Sequence, residues 1–182
     1  MDSGSKLRIG TRTVVVLGLM IGLNVVLTRI LRLELFGSTV RLSFNFLPIV
    51  VTSYIFGPYV GALTAAAADV VGYFLFPTGG AFFPGFTISA ALYGLAYGFF
   101  FHKRPVTLVR SLLAFSVPGI LITIFLNTYW LTLLQKVTYL AILPGRVMQF
   151  SLLLPVQVVS MLALGKYLEK WRQEFSLSSG QA

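Results

Sequence analysis

Six apolar runs take up most of this chain, at residues 13–31, 42–56, 59–76, 86–101, 108–134 and 147–168. One helical crossing of a bilayer needs about 20 residues. A succession of runs near that length fixes the solvent before it fixes the fold. The runs are rich in Leu, Gly and Ala and lack strict alternation, which favours helices over a β-barrel. We therefore expect an all-α integral membrane protein, a bundle of six transmembrane helices. The composition agrees: 57% of the 182 residues are apolar and 10% charged, against roughly 25% charged in an average soluble domain. The runs leave almost nothing over, so 1–182 reads as a single transmembrane domain. Runs two and four are short for a crossing and imply strong tilt or an earlier start.

The breaks between runs carry turn chemistry: Gly57-Pro58, Pro77-Thr78-Gly79-Gly80, His102-Lys103-Arg104-Pro105 and Pro144-Gly145. Lys6, Arg8 and Arg12 precede the first run, as in a signal peptide. That run is too long for a signal core and no small-x-small site follows it, so it reads as a retained first span.

Fourteen Lys and Arg against five Asp and Glu give a net charge of +9. The cations sit at the ends of the apolar runs rather than in one block, the pattern of membrane topology and not of nucleic-acid binding. With the N-terminus cytoplasmic, nine cations lie inside and five, Arg29, Arg32, Arg41, Lys136 and Arg146, lie outside. The majority places both termini in the cytoplasm of a cell-membrane protein. The outer arginines oppose the rule. Either an anionic ligand arriving from outside retains them, or they snorkel to lipid headgroups.

Most catalytic chemistry is excluded. Cysteine is absent, and the single histidine, His102, has no ligating neighbours in sequence, so no metal site is expected. No G-x-x-x-x-G-K-[ST] stretch offers ATP hydrolysis. Asp69 is the one acid within a run, so paired-carboxylate catalysis lacks its second member and the chain is not expected to be an enzyme.

Asp69 is the sharpest candidate for a binding role, because a carboxylate at membrane depth is expensive and marks a function by default. On a helix, Asp69, Tyr73 and Phe76 share a face at i, i+4 and i+7. An acceptor beneath two rings suits a flat heterocycle with adjacent N–H donors; aromatic packing between helices is the plainer reading. The segment 76–86 then gathers two prolines, three glycines and four phenylalanines, suggesting a lid on glycine hinges. Thr123, Asn127 and Trp130 align on the fifth run, and Arg146, Gln149, Gln157 and Ser160 on the sixth. They are interior hydrogen-bonding glue or ligand contacts. Gly18 and Gly22 form G-x-x-x-G on the first run, for close helix approach within the bundle or on a partner. Asn24, Thr28 and Arg32 form a separate polar stripe on that run.

The stretches 42–49 (Leu-Ser-Phe-Asn-Phe-Leu-Pro-Ile), 68–73 (Ala-Asp-Val-Val-Gly-Tyr) and 76–87 (Phe-Pro-Thr-Gly-Gly-Ala-Phe-Phe-Pro-Gly-Phe-Thr) resemble the S components of energy-coupling factor (ECF) transporters, most closely the folate-specific ones. The resemblance implies a six-helix vitamin-binding subunit with both ends in the cytoplasm. Such a subunit has no cofactor and no energy source of its own. It docks with a transmembrane coupling subunit and two ATPase subunits that use ATP, and is thought to topple to deliver its vitamin. Folate fits the residues: its pterin presents N–H donors to a carboxylate such as Asp69, and its anionic glutamate tail would meet Arg29, Arg32, Arg41 or Arg146. Candidate ligand contacts are then Asp69, Tyr73, Phe76, Asn127, Trp130, Arg146, Gln149, Arg32 and Asn45. Pro77, Gly79, Gly80, Phe82 and Phe83 match the family's gating loop. Gly18 and Gly22 occupy its partner-docking positions, usually alanines. Another vitamin, riboflavin or thiamine, and a membrane assembly subunit without ligand are the alternatives.

Overall fold

The computed structural model describes residues 10–30, 33–35, 40–77 and 82–179. Six helices form the bundle: α1 Thr11–Arg29, α2 Phe46–Phe56, α3 Pro58–Leu75, α4 Pro84–Phe101, α5 Leu108–Gln135 and α6 Tyr139–Ser179. Two short strands, β1 Leu33–Leu35 and β2 Val40–Leu42, pair antiparallel between α1 and α2 with Glu34 opposite Arg41. The hairpin, the α3–α4 connection and the α5–α6 connection lie at one end of the bundle, the hairpin end. The α2–α3 joint and the α4–α5 loop lie at the other, the His102 end.

The six-helix expectation holds, with one correction to its lengths. Five helices are long and apolar enough to cross a membrane; α2, with 11 residues, is shorter. Leu42 belongs to β2, so the second helix begins at Phe46 rather than at the start of its apolar run. The short helix is tolerated because it is enclosed. It packs on α1, α3, α4 and α6 and buries Phe46, Pro48, Ile49, Val50, Thr52, Ser53 and Tyr54. By contrast, only 11% of the apolar stretch of α1, and the same of α6, is buried, leaving their outer faces to lipid.

Local chemistry sets the joints. Gly57 has φ +93°, a left-handed conformation open to glycine at no cost, and Pro58 opens α3 where its missing N–H does no harm. His102 ends α4, and its Nδ1 lies 3.1 Å from the Tyr54 carbonyl of α2. The expected break at Pro144-Gly145 does not occur: both residues lie within α6. A proline removes one backbone bond, whereas a loop at membrane depth would strand several polar groups, so the helix continues.

The tightest helix pair is α3 against α4. A Cβ at Gly94 would run into the Gly61 carbonyl, and one at Gly98 into Pro58. The Ser53 hydroxyl reaches across from α2 to donate to the Gly94 carbonyl at 3.0 Å. The small-residue spacing that brings helices together inside this bundle is therefore Gly94-x-x-x-Gly98. Among the described residues, nothing lies within 4 Å of a Cβ added at Gly18 or Gly22. The core runs from Phe46 through Tyr54, Tyr97, Phe101 and Phe115 to Met161 and Leu168.

In α5 the residues Gly119–Asn127 form π-type turns. They follow Pro118, which has no N–H for the preceding turn. The Thr128 hydroxyl donates to the Thr123 carbonyl, five residues back, at 3.1 Å. The Tyr139 hydroxyl donates to the Ile124 carbonyl at 2.8 Å. These bonds satisfy acceptors that the widened turns leave open.

Candidate ligand site

Asp69 lies toward the hairpin end of α3 and faces the bundle interior. The Thr87 hydroxyl of α4 donates to its Oδ2 at 2.7 Å. The carboxylate lines a cavity of about 70 Å³ together with Asn24, Thr28, Arg29, Asn45 and Gly72. Each wall is positioned from its own backbone. The Asn24 amide donates to the Asn45 carbonyl at 2.6 Å, tying α1 to the start of α2. The Thr28 hydroxyl turns back on the Asn24 carbonyl at 2.7 Å. Gly72 leaves room for α1: a Cβ there would lie 3.4 Å from Val25 Cγ2 and 3.5 Å from Arg29 Nε.

Arg29 enters this cavity although a helical wheel puts its Cβ on the face of Gly18 and Gly22. Its long side chain bridges the angular gap, which Cβ geometry alone does not reveal. The carboxylate and the guanidinium thus line one small space, with amide and hydroxyl groups between them.

A second cavity, of about 50 Å³, lies among α4, α5 and α6 and is lined by Tyr93, Tyr97, Thr123, Gln149 and Gln157. The hydroxyls of Tyr93 and Thr123 are hydrogen-bonded to one another. Arg146 Nη1 donates to Gln149 Oε1 at 3.1 Å, which places Arg146 beside this cavity. Asn127 Oδ1 is buried with no hydrogen-bond partner among the described residues, an uncommon state for a buried acceptor.

Trp130 stands between the helices at the hairpin end. Its Nε1 donates to the Ser89 hydroxyl at 3.3 Å. Its ring packs on Phe83 at 5.4 Å between centroids. It lies against Gly85, where a Cβ would come within 2.8 Å of the indole. Phe82 goes to the other side and packs on Tyr73 at 5.1 Å and Phe74 at 6.1 Å. Phe82 and Phe83 of the α3–α4 connection therefore clasp opposite walls.

Two sequence expectations change. Phe76 lies one residue past α3 with φ −132° and ψ 74°, so it leaves the Asp69–Tyr73 face; Phe74 takes the aromatic contact instead. The π-type turns alter the spacing along α5, yet Thr123 and Trp130 both meet the α4 face that carries Ser89 and Tyr93. Thr123 meets Tyr93, while Trp130 meets Ser89. Finally, the candidates divide between two cavities: Asp69 and Asn45 line the first, Gln149 the second. Arg32, Gly79 and Gly80 lie outside the described residues; Pro77 is exposed beyond α3. The described residues hold no cluster of His, Asp and Glu fit for a metal ion.

Residues 8–169 match the family model described as ECF-type riboflavin transporter, S component. The chain is an S component of an ECF-type transporter. Among the relatives of this S component is a folate transporter FolT of Clostridium novyi (strain NT), 31% identical over 151 residues, covering 83% of this chain and 86% of the relative. A folate transporter FolT of Leuconostoc mesenteroides is 31% identical over 160 residues, covering 83% of each. A crystal structure of FolT bound with folic acid superposes with a TM-score of 0.80 at 35% identity, covering 87% of this chain and 95% of that one. Membership makes the S component a membrane transport subunit rather than an enzyme, as the lack of paired acids leads one to expect.

Thr87 is the site residue that sequence reasoning does not single out, and Arg29 is the one of the four candidate arginines that lines the Asp69 cavity. Thr87 closes the 76–87 stretch but is an ordinary residue for an apolar helix. Its one signal is position, in the first turn of the span that follows the aromatic segment.

Proposed function

We propose that this S component captures folate from outside the cell membrane and delivers it through a transmembrane coupling subunit driven by two ATPase subunits. Both termini are then cytoplasmic and the hairpin end faces outward. The observation that carries the reading is the Asp69 carboxylate, pinned through one oxygen by Thr87 and lining a cavity that Arg29 shares. A pterin offers neighbouring ring N–H and amino donors that one carboxylate accepts together. The glutamate tail of folate calls for a cation, and Arg29 and Arg146 are the described arginines beside the two cavities. The folate names of the relatives support the same choice.

Cavities of about 70 Å³ and 50 Å³ are far below the roughly 300–1,000 Å³ of sites for molecules of this size. Binding must therefore join and widen them. Phe82, Phe83 and Trp130 lie at the hairpin-end approach, so displacement of the 76–83 segment is the opening step. Gly18 and Gly22, facing open space on α1, are the surface for the coupling subunit.

Riboflavin is the second reading, favoured by the name of the matching family model. A flavin's imide presents one N–H between two carbonyls, a poorer match for a carboxylate. Calorimetric titration of the purified protein with folate, riboflavin and thiamine separates them. We expect saturable binding of folate alone; tight riboflavin binding without folate binding would reject the proposal.

A further inference from the structure

On the lipid-facing side, α4 and α5 enclose a groove of about 780 Å³, on the face away from both ligand cavities. Leu95, Phe99, Val117, Leu121, Phe125 and Tyr139 contribute to its lining. Several of these side chains are half exposed, among them Phe99, Leu121 and Phe125 at 58–59%. The groove follows the stretch where Pro118 and the π-type turns disturb α5. Tyr139 narrows its hairpin end, with the hydroxyl held by the Ile124 carbonyl.

The other end is closed by the α4–α5 loop, because that loop joins the two helices forming the walls. Lys103 and Arg104 on the loop are exposed. Arg110 lies seven residues before Val117, on the same face of α5. Its Nη1 is fastened to the Pro105 carbonyl at 2.6 Å, which keeps the guanidinium at the loop. No Asp or Glu occurs in residues 102–118. The trough thus runs toward a loop segment that carries three cations and no acid.

We propose that this groove is a site for an anionic glycerophospholipid, its acyl chain along the trough and its phosphate on Lys103, Arg104 and Arg110. Charge complementarity selects this occupant over an apolar helix of a partner, which would leave three cations against its end. The glycine face of α1 lies elsewhere, since α1 packs on α2 and α3. The site is independent of which vitamin is bound.

Native mass spectrometry of the full-length protein in mild detergent, titrated with dioleoylphosphatidylglycerol or dioleoylphosphatidylcholine, tests the proposal. Retention of phosphatidylglycerol should exceed that of phosphatidylcholine, and Lys103→Gln with Arg110→Gln should cut the excess by at least about fivefold. Leu121→Trp, at an exposed position that needs no core repacking, should displace both lipids by filling the trough. Equal retention of the two lipids, or retention unchanged by Leu121→Trp, would overturn the assignment. So would a dimer that Leu121→Trp dissociates, because the groove would then belong to a second copy.

Discussion

Among the described residues, the Thr87 hydroxyl donates to Asp69 at 2.7 Å on Oδ2, which supports the carboxylate as the proposed acceptor for a ligand. Losing the charged acceptor should cost more than losing its support. We expect Asp69→Asn to weaken folate binding by about 1–3 kcal/mol, since buried pterin donors lose a charged partner. Thr87→Val, which removes one hydrogen bond to the carboxylate but no proposed ligand contact, should cost less than that. Calorimetry checks both; equal losses would mean that Thr87 contacts the ligand itself. Asp69 is legible in sequence because a carboxylate inside an apolar run is costly to keep in a membrane and stands out against its neighbours. Thr87 is not, because threonine is common in such helices and the contact spans 18 residues of chain. Arg29 is legible only as one of four candidate arginines: periodicity places its Cβ, and packing at Gly72 shows where the guanidinium goes.

Among elements, the two glycine pairs have opposite surroundings. Gly94 and Gly98 meet the backbone of α3, whereas Gly18 and Gly22 meet no described residue. Gly94→Leu should force α3 and α4 apart and lower Tm, as overpacking a filled interface does. Gly18→Leu with Gly22→Leu should leave Tm and folate binding unchanged while abolishing uptake in cells carrying the whole transporter. A fall in Tm for that pair would show that α1 packs internally through its glycines. Sequence spacing alone cannot assign the two pairs, because the same motif serves either surface. The helices themselves are legible from apolar run length. The hairpin carries a signal too, since Leu33-Glu34-Leu35 and Val40-Arg41-Leu42 alternate in strand fashion, but three residues a side are too few to outweigh the flanking helical runs. The π-type turns have no comparable signature beyond Pro118, so the changed spacing along α5 is not legible.

For the whole molecule, an even number of helices would put both termini on one side if each helix reverses the chain. The chain contains no cysteine, so single cysteines report sidedness without background. Val137→Cys, in the α5–α6 connection, should react with a membrane-impermeant maleimide added to intact cells. Lys103→Cys should react only after permeabilisation, and the reverse result would invert the proposed orientation. The length of α6 fits this frame. Its apolar stretch ends at Trp171 while the helix runs on to Ser179, past the roughly 30 Å hydrocarbon layer and out at the His102 end.

Two tryptophans serve the whole chain, and the fold sends them to opposite ends. Trp171 is exposed near the far end of α6, while Trp130 is wedged between Phe83 of the aromatic segment and Ser89 of α4. Opening that segment would strip one indole of its ring partner and leave the other untouched. Trp130 thus offers an optical gauge of the proposed gate. In Trp171→Phe, the remaining emission should shift as folate binds, reporting the gate's movement without any attached label.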